Sequence, residues 1–312
     1  MRVSSAARTA RWFHKVFPFA ELRTAKWILS RYGHAELPAA KLFGYDLALE
    51  PRTSVHVLLY LERERFVEDA IFLGPYIREG MTAFDIGANN GYLTLLLCRK
   101  VGPTGHVFAF EPEPDNFREL VRNVEKNRIS FCEPFQLAVG ADDCQVALAS
   151  GLNGYVQTEV AMEPNCRMVS LDSFVKERVI PEVDLVKIDV EGHELDVLLG
   201  MSKVIDHDRP ILYVEVHPLG FCGRGNPEEV CSFLQRYYHR MIVYRIWGEV
   251  RGELPDLKRL WSTFVPADHI RKRCETTLEQ VRAYPTGRFQ FLCLPEERQE
   301  CSGHCHGPAS EF

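Results

Sequence analysis

The chain has 312 residues, 46% of them hydrophobic and 26% charged, and a formal net charge of −6. This is ordinary globular composition, enough for one large α/β domain with extensions or for two smaller ones. The acidic balance argues against a broad nucleic-acid surface, and no apolar run approaches the roughly 18 residues needed to span a bilayer.

The start is basic: Arg2, Arg8, Arg11 and Lys15 precede the first acid, Glu21. Trp12, Phe13, Val16, Phe17 and Ala20 recur at helical spacing, so residues 1–35 read as a basic amphipathic extension. Such a helix packs on the main domain or contacts a membrane surface peripherally. Residues 36–80 are expected to hold a strand pair and a helix. The strands fall at Leu42 to Glu50 and Ser54 to Leu61, with a turn at Glu50-Pro51-Arg52-Thr53, and the helix runs from Arg63 to Ile77.

Residues 81–295 then alternate regularly. Strand Ala83–Ile86, helix Tyr92–Lys100, strand His106–Phe110, helix Asp115–Asn127 and strand Phe135–Val139 follow one another. Residues 144–168 are mixed and read as edge strands or loop. Helix Leu171–Val179, strand Val183–Val190, helix Glu194–Met201, strand Ile211–Val216 and a helix from Asn226-Pro227 to Tyr238 come next, before two final strands at Met241–Ile246 and Phe289–Leu294. Alternation of this kind predicts a mostly parallel sheet with right-handed crossovers. The polar tail, 296–312, carries Cys301, His304, Cys305 and His306 in a spacing too compressed for a usual structural zinc site. Ten cysteines without a repeated spacing, and an N-terminal region without a continuous apolar core, predict free thiols in the cytoplasm.

The most informative stretch is Thr82-Ala-Phe-Asp-Ile-Gly-Ala-Asn-Asn-Gly91, a buried strand running into a glycine-bearing turn and then a helix. Open α/β sheets bind cofactors at such junctions. A dinucleotide fingerprint would need glycines at 87, 89 and 92, but Asn89 and Tyr92 occupy two of those places. Glu111 ends the next strand, 24 residues after Gly87, near the spacing at which a carboxylate meets ribose hydroxyls. A nucleoside fits better than a pyrophosphate, which makes a nicotinamide-dependent oxidoreductase the weaker reading.

Two later strands carry charge where a buried parallel strand should be apolar. Lys187, Asp189 and Glu191 are spaced by two, as are Tyr213, Glu215 and His217, so each set shares one face if its strand persists. Unpaired, such buried charges would cost several kcal/mol each. They either pair structurally, as Lys187–Asp189 or Lys187–Glu215, or line a cleft. In a cleft, His217 or Asp189 is a candidate general base. The same residue types suit a divalent metal, although the spacing matches no recognised metal motif.

Phe84-Asp-Ile-Gly-Ala-Asn-Asn-Gly-Tyr92, Phe110-Glu-Pro-Glu-Pro-Asp-Asn-Phe117 and Val186-Lys-Ile-Asp-Val-Glu-Gly-His-Glu194 together resemble the FkbM-type S-adenosylmethionine-dependent methyltransferases. The resemblance runs from about Phe43 to Pro295. It implies a class I, Rossmann-like three-layer sandwich with a seven-stranded sheet, its last strand inserted antiparallel between the fifth and sixth. It also implies that Asp85, Gly87 and Gly91 cradle the methionine end of the cofactor, with Asn89 and Tyr92 nearby. Glu111 would take the ribose, Asn116 would lie near the adenosine, and Ala138 and Val139 would pass beside the adenine. The implied activity is O-methylation of a hydroxyl on a sugar or secondary metabolite; for that reaction the two polar clusters themselves offer Asp189 or His217 to remove the proton. Glu191 and Glu215 would orient the acceptor or share a metal, and Lys187 would fix the carboxylates. Residues 144–168 and 219–288 are expected to shape the acceptor pocket. A cofactor-binding scaffold without catalysis is the alternative of a different class.

Overall fold

The computed structural model describes residues 37–49, 67–148, 156–157, 164–217, 226–246, 273–283 and 288–295. The basic start, the second N-terminal strand expected at 54–61 and the Cys/His tail lie outside the described residues. No helix among the described residues is long and apolar enough to cross a membrane.

A hairpin opens the described chain: β1 (Leu37–Leu42) pairs antiparallel with β2 (Tyr45–Leu49). Its turn is Phe43-Gly44, both with positive φ, so the single strand expected from Leu42 to Glu50 is instead the second arm of a tighter ribbon. Helix α1 (Val67–Phe72) follows, with a 3-10 turn at Gly74–Tyr76 where the sequence suggests one helix from Arg63 to Ile77.

The central elements are β3 (Thr82–Ile86), α2 (Tyr92–Val101), β4 (His106–Phe110), α3 (Pro114–Lys126) and β5 (Cys132–Phe135). The strand expected over Phe135–Val139 is broken. After Phe135 the chain leaves the main sheet and β6 (Ala138–Val139) joins a second one with β7 (Cys144–Leu148), β8 (Val156–Gln157) and β9 (Cys166–Val169). Helix α4 (Leu171–Arg178) leads to β10 (Leu185–Ile188), α5 (Glu194–Leu199), α6 (Ser202–Asp208) and β11 (Ile211–Val216). Then come α7 (Pro227–Leu234), β12 (Arg240–Ile246), β13 (Arg273–Thr276), α8 (Leu278–Ala283) and β14 (Arg288–Leu294).

The main sheet runs β13-β12-β14-β11-β10-β3-β4-β5. Strands β11, β10, β3, β4 and β5 are parallel, and β14 lies antiparallel between β11 and β12. That is the mostly parallel seven-stranded arrangement of a class I methyltransferase, extended by β13 as an eighth strand on the β12 edge. Two cores cover its faces. One holds Leu95, Leu97, Leu120, Leu185 and Tyr213, and the other holds Phe84, Phe110, Phe174, Val186 and Val214.

Alternation places Asp85 and Lys187 on the first face, where register sets them side by side, with Tyr213 next in the row. Lys187 Nζ lies 3.0 Å from Asp85 Oδ1, and both side chains are at most 5% exposed. The same ammonium donates to the carbonyls of Gly87 (2.6 Å) and Ile86 (3.3 Å), and Thr94 Oγ1 donates to Asp85 Oδ2 at 2.6 Å. Burial alone would pull the lysine pKa down, but Asp85 and then Asp189 outweigh it and hold the ammonium charged. Lys187 therefore holds the glycine turn from below, paired with neither Asp189 nor Glu215.

Replacing Lys187 with Met should leave Asp85 charged and buried without its cation, a loss of about 3–5 kcal/mol in urea denaturation. The double variant with Asp85→Leu should recover most of that loss, because swapping a whole buried pair for apolar groups is close to neutral. A single variant as stable as the parent would contradict this account of the turn.

Candidate active site

Strand order reverses between β3 and β10, and ligands of open α/β sheets bind at the carboxyl ends of strands at such a point. The chain builds a cleft there. The turn after β3 is held by Gly87 and Ala88, whose N–H groups both donate to Phe110 O at 2.9 Å. Asp189 N–H donates to Ile86 O at 3.1 Å, which seats the exit of β10 against the turn. Gly87 has φ +76°, and a Cβ there would stand 1.8 Å from the Asp189 carbonyl oxygen, so only glycine permits the approach. At Gly91, φ is +85° and a Cβ would meet Leu120 Cδ1 at 2.8 Å.

Gly87, Asn89, Glu111, Ala138, Val139, Asp189 and Glu191 all line this cleft, together with Ile86, Phe110, Pro112, Leu137, Val190 and His193. The space is about 630 Å³ counted to its open mouth, open solvent included. Its lining mixes apolar side chains with three carboxylates, Glu111, Asp189 and Glu191. Glu111 accepts the N–H of Asn89 (2.8 Å) and of Glu113 (3.0 Å). Burial pushes it up to about 7, against those N–H groups, which favour its charged form.

Strand β10 ends at Ile188, so the face expected to carry Lys187, Asp189 and Glu191 together does not persist. Glu191 has φ +54° and Gly192 φ +104°, and this bend aims Asp189 and Glu191 into the cleft while Lys187 stays beneath. His217, just past β11, is 1% exposed at its side chain. Its Nδ1 lies 2.8 Å from Glu194 Oε1, and its Nε2 lies 3.2 Å from Glu191 Oε2 and 4.0 Å from Asp189 Oδ1. Burial opposes charge on the ring, but Glu191 and Glu194 outweigh it and raise the pKa to about 10. The imidazolium in turn holds Glu191 below the ordinary carboxylate range despite its burial. Asp189 is pushed the other way, up to about 7, by burial and by the nearby Glu215 charge. Its Oδ1 is inaccessible and has no hydrogen-bond partner among the described residues. Glu215 is itself paired with Arg288.

Asp85, Gly91, Tyr92, Asn116, Lys187, Glu215 and His217 are outside the lining. Asp85 and Lys187 lie beneath the turn; Asn116 is buried in the first turn of α3. Sequence reasoning left Glu194 without a role, although it anchors the histidine. It also passed over Asn123 and Asn127. Asn123 is a poor helix former inside α3, and that is the signal that could have marked it, whereas Asn127 caps the end of the helix. Asn127 clasps both backbone polar groups of Asp46 at 2.8 Å, and Asn123 does the same to Ala48 while donating to Asn90 O at 2.8 Å.

Among curated proteins, the chain is 30% identical over 139 residues to hexuronic acid methyltransferase AglP of Haloferax volcanii, covering 43% of this chain and 55% of that protein. It is 30% identical over 197 residues to 31-O-demethyl-FK506 methyltransferase FkbM of Streptomyces tacrolimicus, covering 51% and 74%. The chain thus spans about half the length of the first and about three quarters of the second. A solved structure, the SAM-dependent O-methyltransferase of Thermotoga maritima, aligns at 15% identity and a TM-score of 0.38 over 76% of this chain and 67% of that one. The sequence model of the Methyltransferase FkbM domain matches residues 85–241, from the end of β3 through the acidic ends of β10 and β11 to the start of β12, and the chain belongs to that family.

Proposed function

We propose that the chain transfers the methyl group of S-adenosylmethionine to a hydroxyl oxygen, the acceptor being a sugar or a secondary metabolite. The observation that carries this reading is the shared cleft, in which the glycine turn and Glu111 stand opposite Asp189 and Glu191. Among the described residues its lining holds three carboxylates and neither lysine nor arginine. That suits a donor with a sulfonium and an ammonium group and disfavours a pyrophosphate. The two relatives named for a hexuronic acid and for an O-demethyl compound support an oxygen acceptor. Buried free thiols at Cys98, Cys132, Cys166, Cys231 and Cys293 support the cytoplasm.

In this reading Glu111 accepts the ribose hydroxyls, Ala138 and Val139 flank the adenine with Leu137, and Gly87 and Asn89 border the methionine end. Asp85, Gly91 and Tyr92 act by shaping the turn. The bound donor supplies an activated methyl, whose carbon–sulfur bond breaks as the new carbon–oxygen bond forms. The chain's task is to align the hydroxyl and remove its proton. His217 already holds a proton between two carboxylates, so the incoming proton goes to Asp189. A carboxylate tuned near 7 suits that task at neutral pH.

A second reading is favoured by one observation: ligand atoms of Asp189, Glu215 and His217 lie within 4.8 Å of one another. A divalent ion there would hold the acceptor oxygen and lower its pKa. Chelation separates the two: turnover unchanged in EDTA supports direct proton transfer to Asp189, whereas loss restored by Mn²⁺ or Mg²⁺ supports the ion.

Asp189→Ala should cut turnover by at least about 10²-fold while leaving calorimetric binding of S-adenosylhomocysteine intact. Turnover at the parent rate on the true acceptor would refute the assignment, and donor binding without transfer by the parent to any hydroxylated compound would favour a scaffold. The pH dependence has a defined sign. Asp189 must be charged to take a proton, and its folded pKa is raised to about 7. The single-turnover rate at saturating donor should therefore rise about tenfold per pH unit below that point and level above it. A flat profile between pH 5 and 8 would contradict the role.

A further inference from the structure

The matched family span begins at Asp85, yet the hairpin β1–β2 and helix α1 precede it and are tied to the donor turn by two buried polar links. The first is Asp69 on α1, 8% exposed. Its Oδ2 accepts Tyr92 Oη and its Oδ1 accepts Tyr213 Oη, each at 2.6 Å. Tyr92 directly follows Gly91 and opens α2, and its N–H meets Asn90 Oδ1 at 3.2 Å. Tyr213 stands opposite Lys187 in the β10–β11 register, and Lys187 holds the Ile86 and Gly87 carbonyls. One carboxylate thus grips both the exit of the turn and the strand beside the lysine under its entrance. The second link is Asn123, whose amide bridges Ala48 of the hairpin to the Asn90 carbonyl within the turn.

We propose that the hairpin β1–β2 and helix α1 act as a strap that holds the turn Gly87–Tyr92 in its donor-binding shape, with Asp69 as its positioning residue. This rests on the donor-binding reading above but adds a role for a segment outside the family match. The physical argument is preorganisation. Asn89 has φ +51° and Gly91 φ +85°, so this turn holds a left-handed backbone that has other, commoner conformations to fall into. Hydrogen bonds donated by two phenols to a buried carboxylate are among the stronger ways to remove them. Asp69 touches neither the cleft nor the reacting atoms, so its loss should affect donor binding and turn order while the chemical step on bound donor is spared.

The test compares the parent with Asp69→Asn, which offers one acceptor oxygen where two are needed, and with Tyr92→Phe, a milder change. Amide hydrogen exchange reads the turn directly and needs no ligand: exchange at Ala88 to Tyr92 should quicken about tenfold in both variants. Calorimetry with S-adenosylhomocysteine should show a dissociation constant raised about tenfold in each, with the double variant no worse than either single one. The rate of Asp69→Asn at saturating donor should stay near that of the parent. Unchanged exchange at the turn, even with a lowered melting temperature, would overturn the strap and leave Asp69 a structural residue only. If the parent itself fails to bind S-adenosylhomocysteine, the donor reading falls, while the exchange result still decides the strap.

Discussion

The buried ammonium of Lys187 is the interaction around which the site is organised. It sits on the central parallel strand, beside Asp85 on one neighbour and Tyr213 on the other. A lone charge there would be costly, and the ion pair with Asp85 together with two turn carbonyls removes that cost. In doing so it fixes the direction in which the chain leaves β3. Gly87 can then lie against the Asp189 carbonyl, and this contact brings the donor side and the acceptor side of the cleft together. The strands supply the placement, and the ion pair supplies the angle of the turn.

The acceptor side divides its labour among four acids and one histidine. Glu194 and Glu191 keep His217 protonated, and Arg288 is paired with Glu215. Asp189 is left with an inaccessible oxygen that lacks a hydrogen bond among the described residues, and with a proton affinity near neutrality. Neighbouring carboxylates thus differ because their surroundings differ: one faces an imidazolium, another a guanidinium, and the third is buried, with Glu215 nearby. Such separation of proton affinities is what a proton-transfer site requires.

Much of this was legible in the sequence because it depends on local pattern. Alternation of apolar strands and amphipathic helices gave the sheet, and the glycine spacing distinguished the turn from a dinucleotide fingerprint. The clustering of Gly87, Asn89, Glu111, Asp189 and Glu191 followed from their positions at strand ends. What was not legible depends on contacts between distant segments. The partner of Lys187 is 102 residues away, so parity along its own strand pointed to Asp189 and parity along the next to Glu215, whereas strand register chose Asp85. The positive φ at Glu191 ends a strand that β propensity alone would continue through Val190. Asn123 and Asp69 work through a backbone carbonyl and two phenols, and neither leaves a spacing to read. The break after Phe135 is of the same kind: β6 leaves the main sheet because its partner, β9, arrives about thirty residues later.

The central claim is that one cavity at the β3–β10 switch point presents an activated methyl to Asp189. A crystal structure of the full chain with S-adenosylhomocysteine tests it most directly. The account predicts both ribose hydroxyls on the Glu111 carboxylate, the adenine between Leu137, Val139 and the Phe110 end of β4, and the sulfur opening toward Asp189. A ligand bound elsewhere, or one whose sulfur faces away from Asp189 and His217, would contradict it.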